Sequence, residues 1–387
     1  MDVERVRTDF PIYKEGGLHY LDSAATSLKP YVVLEKMLQY YREYSANIHR
    51  SPHKLGERAT EEYEKAREKI AGFINAKPEE VVFTKNATES LNLAAYSLRK
   101  TAKKVAVSIG EHHSNFLPWQ QLYDIDALAI DREGFIKPPT NKVDIFAFQH
   151  TSNVTGAIQD VEELVKIARD MDSLSIMDAS QGVPHTKIDV KKLGVDIMAF
   201  TGHKMLGPTG VGALYIREGV EERMEPFLYG GEMIESVSVE KSIFADMPHR
   251  YEAGTPPIAE VIGLGEAVSY LKALSMDEVR EHEKALTSYT LERFREEGIN
   301  YIGPENTDRR AGIVSFTMDS IHPHDIASLL SDGCNVSIRA GYHCAQPLHN
   351  ALGIAASARA SLYIYNDKED IDKLIEGLVS IRRRFNG

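Results

Sequence analysis

Between about residue 80 and residue 216, short apolar runs alternate with segments of helical periodicity. That alternation constrains the fold more than any other feature of the chain. Val81–Thr84, Val105–Ser108, Asp144–Phe148, Leu174–Asp178 and Asp196–Phe200 read as buried strands. Between them, Glu89–Arg99 and Val161–Met171 carry apolar residues at helical spacing, as at Val161, Leu164, Val165 and Ala168. Parallel strands cannot be joined by a tight turn, so this βαβ succession predicts an α/β fold with a mostly parallel sheet and helices on both faces. Ligands of such sheets bind beyond the carboxyl ends of the strands. Thr84, Gln149, Asp178 and Thr201 all fall at or just past such ends, so one crevice can gather them.

The pattern changes after Pro257. Two long helical stretches, Ile258–Leu274 and Met276–Glu297, are followed by Ile313–Thr317, a helix over His324–Ser331, Val336–Arg339, strand-like Leu362–Tyr365 and a last helix over Lys368–Phe385. This predicts a smaller α+β domain. A chain of 387 residues exceeds what one core usually organises. The expected division is a large domain over 16–262 and a small one over 263–387, with residues 1–15 packing on the latter.

Composition narrows the function classes. No apolar run approaches the roughly 18 residues that span a bilayer. The first residues mix charges and lack a signal peptide's apolar stretch, so export is not expected. Two cysteines, Cys334 and Cys344, are too few for a disulfide framework and suit a reducing, cytoplasmic setting. A net charge of −12 gives no footprint for nucleic acid, and neither a membrane nor a metal partner is expected. A small molecule or a protein remains.

The chemistry centres on Phe200-Thr-Gly-His-Lys204, which follows a strand and precedes Gly207-Pro-Thr-Gly210. A lysine at a strand end can form a Schiff base with an aldehyde cofactor. A carboxylate at a neighbouring strand end, here Asp178, can keep a pyridine nitrogen protonated. Lys204 and Asp178 therefore point to pyridoxal 5'-phosphate. Gln181 can hydrogen-bond the cofactor's phenolic oxygen. Lys85-Asn-Ala-Thr88, Ala87 included, follows one strand and opens a helix whose free N–H groups suit a phosphate, with Thr201 and His203 as further contacts. Glu111-His112-His113 offers one imidazole to stack on the ring and another to support it. Near the chain's end, Arg339-Ala-Gly-Tyr-His343-Cys344 presents a thiol whose pKa His343 and Arg339 can lower, while Cys334 reads as packing. Arg359 can clamp an α-carboxylate through its fork. Together these residues suggest an enzyme that takes sulfur from cysteine.

Several ordered motifs resemble the class V branch of fold-type I pyridoxal phosphate enzymes, and within it the Suf-type cysteine desulfurase and selenocysteine lyase group. They are Leu21-Asp-Ser-Ala-Ala-Thr-Ser-Leu-Lys-Pro30, Asn47-Ile-His-Arg50, Phe83-Thr-Lys-Asn-Ala-Thr-Glu-Ser90, Glu111-His-His-Ser-Asn115, Thr201-Gly-His-Lys204, Gly230-Gly-Glu-Met233 and Glu252-Ala-Gly-Thr-Pro256. The resemblance implies a seven-stranded large domain and a cofactor carried by Lys204, with Asp178 at its ring nitrogen and His112 stacked on the ring. It further implies Asn153 and Gln181 beside phenolic oxygen and substrate, and Thr88, Thr201 and His203 at the phosphate. Thr255, and Arg50 with it, would arrive from the second subunit of a homodimer. L-cysteine is then the substrate, with L-selenocysteine a second candidate. Alanine is the product, a persulfide forms on Cys344, and a sulfur-acceptor protein or iron-sulfur scaffold collects the sulfur. Tyr342 stands where many relatives have histidine, and the 121–144 stretch is shorter than usual. Another class V reaction (transamination, sulfinate desulfination or epimerisation) and a non-catalytic assembly subunit are the alternatives.

Overall fold

The computed structural model describes residues 1–386. Its centre is a seven-stranded sheet made of β1 (Val81–Thr84), β2 (Lys104–Ser108), β3 (Asp124–Leu128), β4 (Ile145–Gln149), β5 (Leu174–Asp178), β6 (Ile197–Thr201) and β7 (Gly212–Ile216), in the spatial order β1-β7-β6-β5-β4-β2-β3. Strands β6, β5, β4, β2 and β3 run parallel, and β7 lies antiparallel to both its neighbours. Successive side chains of a strand point to opposite faces, and the two cores follow that period of two. Phe146 and Phe148 of β4 pack on one side with Val161, Leu164, Val165 and Ala168 of the helix Val161–Asp170. Ile145 and Ala147 pack on the other with Leu91 and Trp119. Strands buried on both faces show no polar alternation in sequence, which is why they read as unbroken apolar runs.

Helix α1 (Ala87–Ser97) follows β1, and α2 (His113–Leu122) follows β2, so both N-termini open at the carboxyl ends of the strands. The smaller sheet is antiparallel. It comprises β8 (Asn300–Ile302), β9 (Ile313–Thr317), β10 (Arg339–Gly341) and β11 (Ser357–Ser361), in the order β8-β9-β11-β10. It packs with Ile326 and Leu330 of one helix and Leu374 and Leu378 of the C-terminal helix in a core of its own.

One expectation changes here. The strand near the chain's end is Ser357–Ser361, not Leu362–Tyr365, so Arg359 lies within it, paired with Ser315 on one side and Arg339 on the other. Ser-Ala-Arg-Ala-Ser is a poor strand former by propensity. It is held by neighbours on both sides, and context of that kind outweighs propensity in sheets. The expected division at 262/263 falls inside the helix Ile258–Leu274, and Ile262, Leu264, Val268 and Leu271 all sit in the core of the large sheet. We place the changeover at the junction with the next helix, Met276–Glu296, whose Leu286, Leu291 and Phe294 belong to the small-domain core. The N-terminal segment contacts both regions: Arg7 donates to the Tyr365 carbonyl and to Asp370, and Phe10 packs edge-on against Tyr365 and Tyr270.

Candidate active site

A pocket of about 240 Å³ opens where the carboxyl ends of the large sheet meet β10 and β11 of the small one. Asp178 ends β5. Lys204 closes a single 3₁₀ turn after β6, and Thr201 ends that strand. Asn86, Ala87 and Thr88 come from the start of α1, and His112 caps α2. His203 lies within that 3₁₀ turn, Gln181 and Asn153 follow on loops, and Arg339, His343, Cys344 and Arg359 close the opposite wall. The structure thus brings together thirteen of the fifteen residues expected from sequence. The other two, Arg50 and Thr255, do not line this pocket: both are exposed, and Arg50 faces Glu232 at 3.5 Å.

Burial sets the charges. Lys204 sits deep in the molecule with its end open to the pocket. Desolvation pushes its pKa down to about 8, although the negative charge of Asp178 pulls the other way. His112 is pushed down to about 3, first by burial and then by the Lys204 charge, and His203 to about 4 for the same reasons. Both imidazoles are neutral at pH 7. His343, also buried, is pushed down to about 2. It therefore supplies no positive charge to Cys344, contrary to the expectation from its place in sequence; Arg339 and Arg359 are the cations of that wall. Arg359 is lowered to about 10 by burial, with Asp22 opposing, and stays charged.

The residues fit pyridoxal phosphate. Around the pocket, Asn153 Oδ1, Gln181 Oε1, Thr201 Oγ1 and Arg359 Nε are buried polar atoms without partners, an arrangement that is costly unless a ligand completes it. Asn86 caps α1 by accepting from Glu89 N–H, so the first turn of that helix offers its remaining N–H groups and dipole to an anion. Gly212 lets β7 run against that turn: a Cβ there would lie 2.6 Å from the Asn86 carbonyl carbon. Sequence reasoning missed Ser114 and Ser180, which also line the pocket, and Lys29, which bonds to the backbone of the lining residue His203. Lys29 Nζ donates to the His203 carbonyl at 2.9 Å and to that of Ser27, and burial lowers its pKa to about 8. Its only signal was its place in the Leu21–Pro30 motif.

A family model described as aminotransferase class-V matches residues 19–374. The chain belongs to that family. Pyridoxal phosphate is accordingly its cofactor. A protein of Halalkalibacterium halodurans named probable cysteine desulfurase is 43% identical over 406 residues, covering 100% of this chain and 99% of its own. The cysteine desulfurase of Haloferax volcanii is 41% identical, covering 100% and 98%. Among solved structures, the apo cysteine desulfurase of Thermococcus onnurineus NA1 superposes with a TM-score of 0.94 at 40% identity, over 98% of this chain and 97% of that one. A cysteine desulfurase of Escherichia coli gives 0.88 at 32%, over 98% of both chains. Among the described residues no helix is long and apolar enough to cross a membrane.

Proposed function

We propose that this protein is a cysteine desulfurase that converts L-cysteine to L-alanine and holds the released sulfur as a persulfide on Cys344. The observation that carries this reading is that Cys344 and Lys204 line one pocket from opposite walls. An aminotransferase site needs the lysine and the carboxylate, but has no use for a thiol facing them.

When bound, pyridoxal phosphate supplies an electron sink for bonds broken near the substrate's α-carbon. Lys204 would carry it, and Asp178 would set its charge at the ring nitrogen. Neutral His112 would stack on the ring. Gln181 and Asn153 would contact the phenolic oxygen and substrate, while Ala87, Thr88, Thr201 and His203 would hold the phosphate. Arg359 receives the substrate carboxylate. Its Nη1 already donates to the Asn153 carbonyl and its Nη2 faces Asp22, which fixes the fork, while Nε is unpaired. Lys204, with a pKa near 8, can both hold and release a proton at neutral pH. The Cys344 sulfur bonds to the substrate sulfur as the carbon–sulfur bond breaks. The thiol proton ends on the carbon that becomes the alanine methyl, so no external oxidant or reductant enters.

Cys344 sits on the short link Tyr342–Ala345 between β10 and the helix Gln346–Leu352. A link anchored at both ends cannot carry sulfur outward, which supports an acceptor protein that comes to the pocket; supply to iron-sulfur clusters is the destination we assign. Exposed Arg50 and Thr255 complete the site of a second copy in a homodimer. Two unpaired cysteines support a reducing, cytoplasmic setting. L-selenocysteine is the second substrate we assign, because selenium leaves carbon more readily than sulfur. A panel of cysteine, selenocysteine, cysteine sulfinate and alanine plus a keto acid, assayed for alanine and sulfide with and without a thiol reductant, tests the reading. Equal alanine and reducible sulfide from cysteine are expected. Activity confined to the keto-acid reaction would overturn it.

A further inference from the structure

The link that carries Cys344 is strained. After Gly341 at φ +123°, His343 and Cys344 adopt φ +50° and +56°, the left-handed region that residues with side chains seldom enter. Such a backbone persists only where its surroundings hold it. Three hydrogen bonds from the large domain do so. Asn153 Nδ2 donates to the His343 carbonyl at 2.6 Å. The backbone N–H of His113 donates to the Cys344 carbonyl at 2.7 Å. On the far side, the backbone N–H of Gln346 donates to His113 Nε2 at 3.2 Å.

His113 therefore grips the loop at two points, the carbonyl of the sulfur-bearing residue and the N–H two residues further on, while Asn153 holds the carbonyl before it. An N–H directed at Nε2 requires that nitrogen to be bare, which places the ring proton on Nδ1. Burial lowers the pKa of His113 and favours this neutral form. His113 is also the first residue of α2, and its neighbour His112 lines the pocket. Consecutive residues of one helix start thus form the cofactor wall and hold the thiol's loop.

We propose that His113 is a positioning residue for Cys344, whose ring and backbone clamp the strained link so that the thiol stays against the pocket. The proposal rests on Cys344 being the reacting sulfur, but one arm of its test reads the loop whatever the reaction proves to be. His113→Ala removes the ring acceptor and keeps the backbone donor, and His113→Gln restores an acceptor oxygen at a similar reach. In the holoenzyme, three quantities are compared: the alkylation rate of Cys344 by iodoacetamide relative to Cys334, the single-turnover rate of persulfide formation from L-cysteine, and the absorbance change on binding L-alanine, which reports the cofactor wall alone.

Loss of one hydrogen bond that orders a strained segment is expected to slow persulfide formation roughly tenfold in His113→Ala and to change the alkylation ratio by about threefold or more. The alanine response should be unchanged, and His113→Gln should lie within about twofold of the parent. An unchanged persulfide rate or alkylation ratio in His113→Ala would overturn the proposal. So would an altered alanine response, or a glutamine variant as impaired as the alanine one. If the parent itself makes no persulfide while the alkylation ratio shifts as expected, the desulfurase reading fails and the clamp stands.

Discussion

The two walls of the pocket are built on opposite principles. The cofactor wall grows from the ends of buried strands, where Asp178, Thr201 and the start of α1 are placed by backbone that is hydrogen-bonded and packed on both faces. The thiol wall is a short link with two residues at positive φ, held from outside by Asn153 and His113. Rigid strand ends suit a cofactor that stays through every turnover. A link held by a few bonds suits a sulfur that, in the proposed reaction, must gain a second sulfur and later give it up. Substitutions on one wall, other than at Asn153 and His113, which bridge the two, should therefore leave the other intact.

The largest effect is expected at the cofactor wall. Lys204→Ala should lower turnover by ~10³-fold or more and abolish borohydride-stable labelling of the peptide around residue 204, while Cys344 still reacts with iodoacetamide. Next, Cys344→Ala should cut sulfide release from cysteine by at least ~10²-fold, yet leave cofactor absorbance and its response to L-alanine unchanged. If that variant lost its cofactor, the separation of the two walls would be wrong. Arg359→Lys keeps the charge but loses the fork, and steady-state kinetics should show KM for cysteine raised roughly tenfold with a smaller change in kcat.

The mildest test uses pH. If Lys204 carries the cofactor as proposed, only its neutral amine can capture the aldehyde, and its pKa is lowered to about 8. Below that value the neutral fraction rises about tenfold per pH unit, so cofactor capture by the apoprotein should rise about tenfold from pH 6 to pH 7 and level off above pH 8. An ordinary lysine would keep accelerating through pH 10. Stopped-flow absorbance of apoprotein mixed with pyridoxal phosphate distinguishes the two.

Much of the cofactor wall was legible in sequence because each of its residues lies beside the strand that positions it. The run ending at Asp178 announces both a buried strand and the carboxylate at its tip. The thiol wall was less legible. His343 precedes Cys344 and reads as its activating cation, but only the packing around it shows that burial keeps it neutral. The contact of His113 with Gln346 spans 233 positions, and no local pattern encodes such a pairing. Arg359 was singled out for its chemistry although its strand was placed too late, since small residues hide a strand whose stability comes from both neighbours. Lys29 carries no chemical cue until the fold sets its amine against the His203 carbonyl.

The central claim is that the thiol of one wall takes sulfur released on the other. Mass spectrometry of the holoenzyme after a single turnover with sulfur-labelled L-cysteine, without reductant, tests it directly. The account predicts one labelled sulfur on the peptide containing Cys344, none on that containing Cys334, and one equivalent of alanine. Alanine formed with Cys344 unlabelled, or label retained by the Cys344→Ala protein, would contradict it.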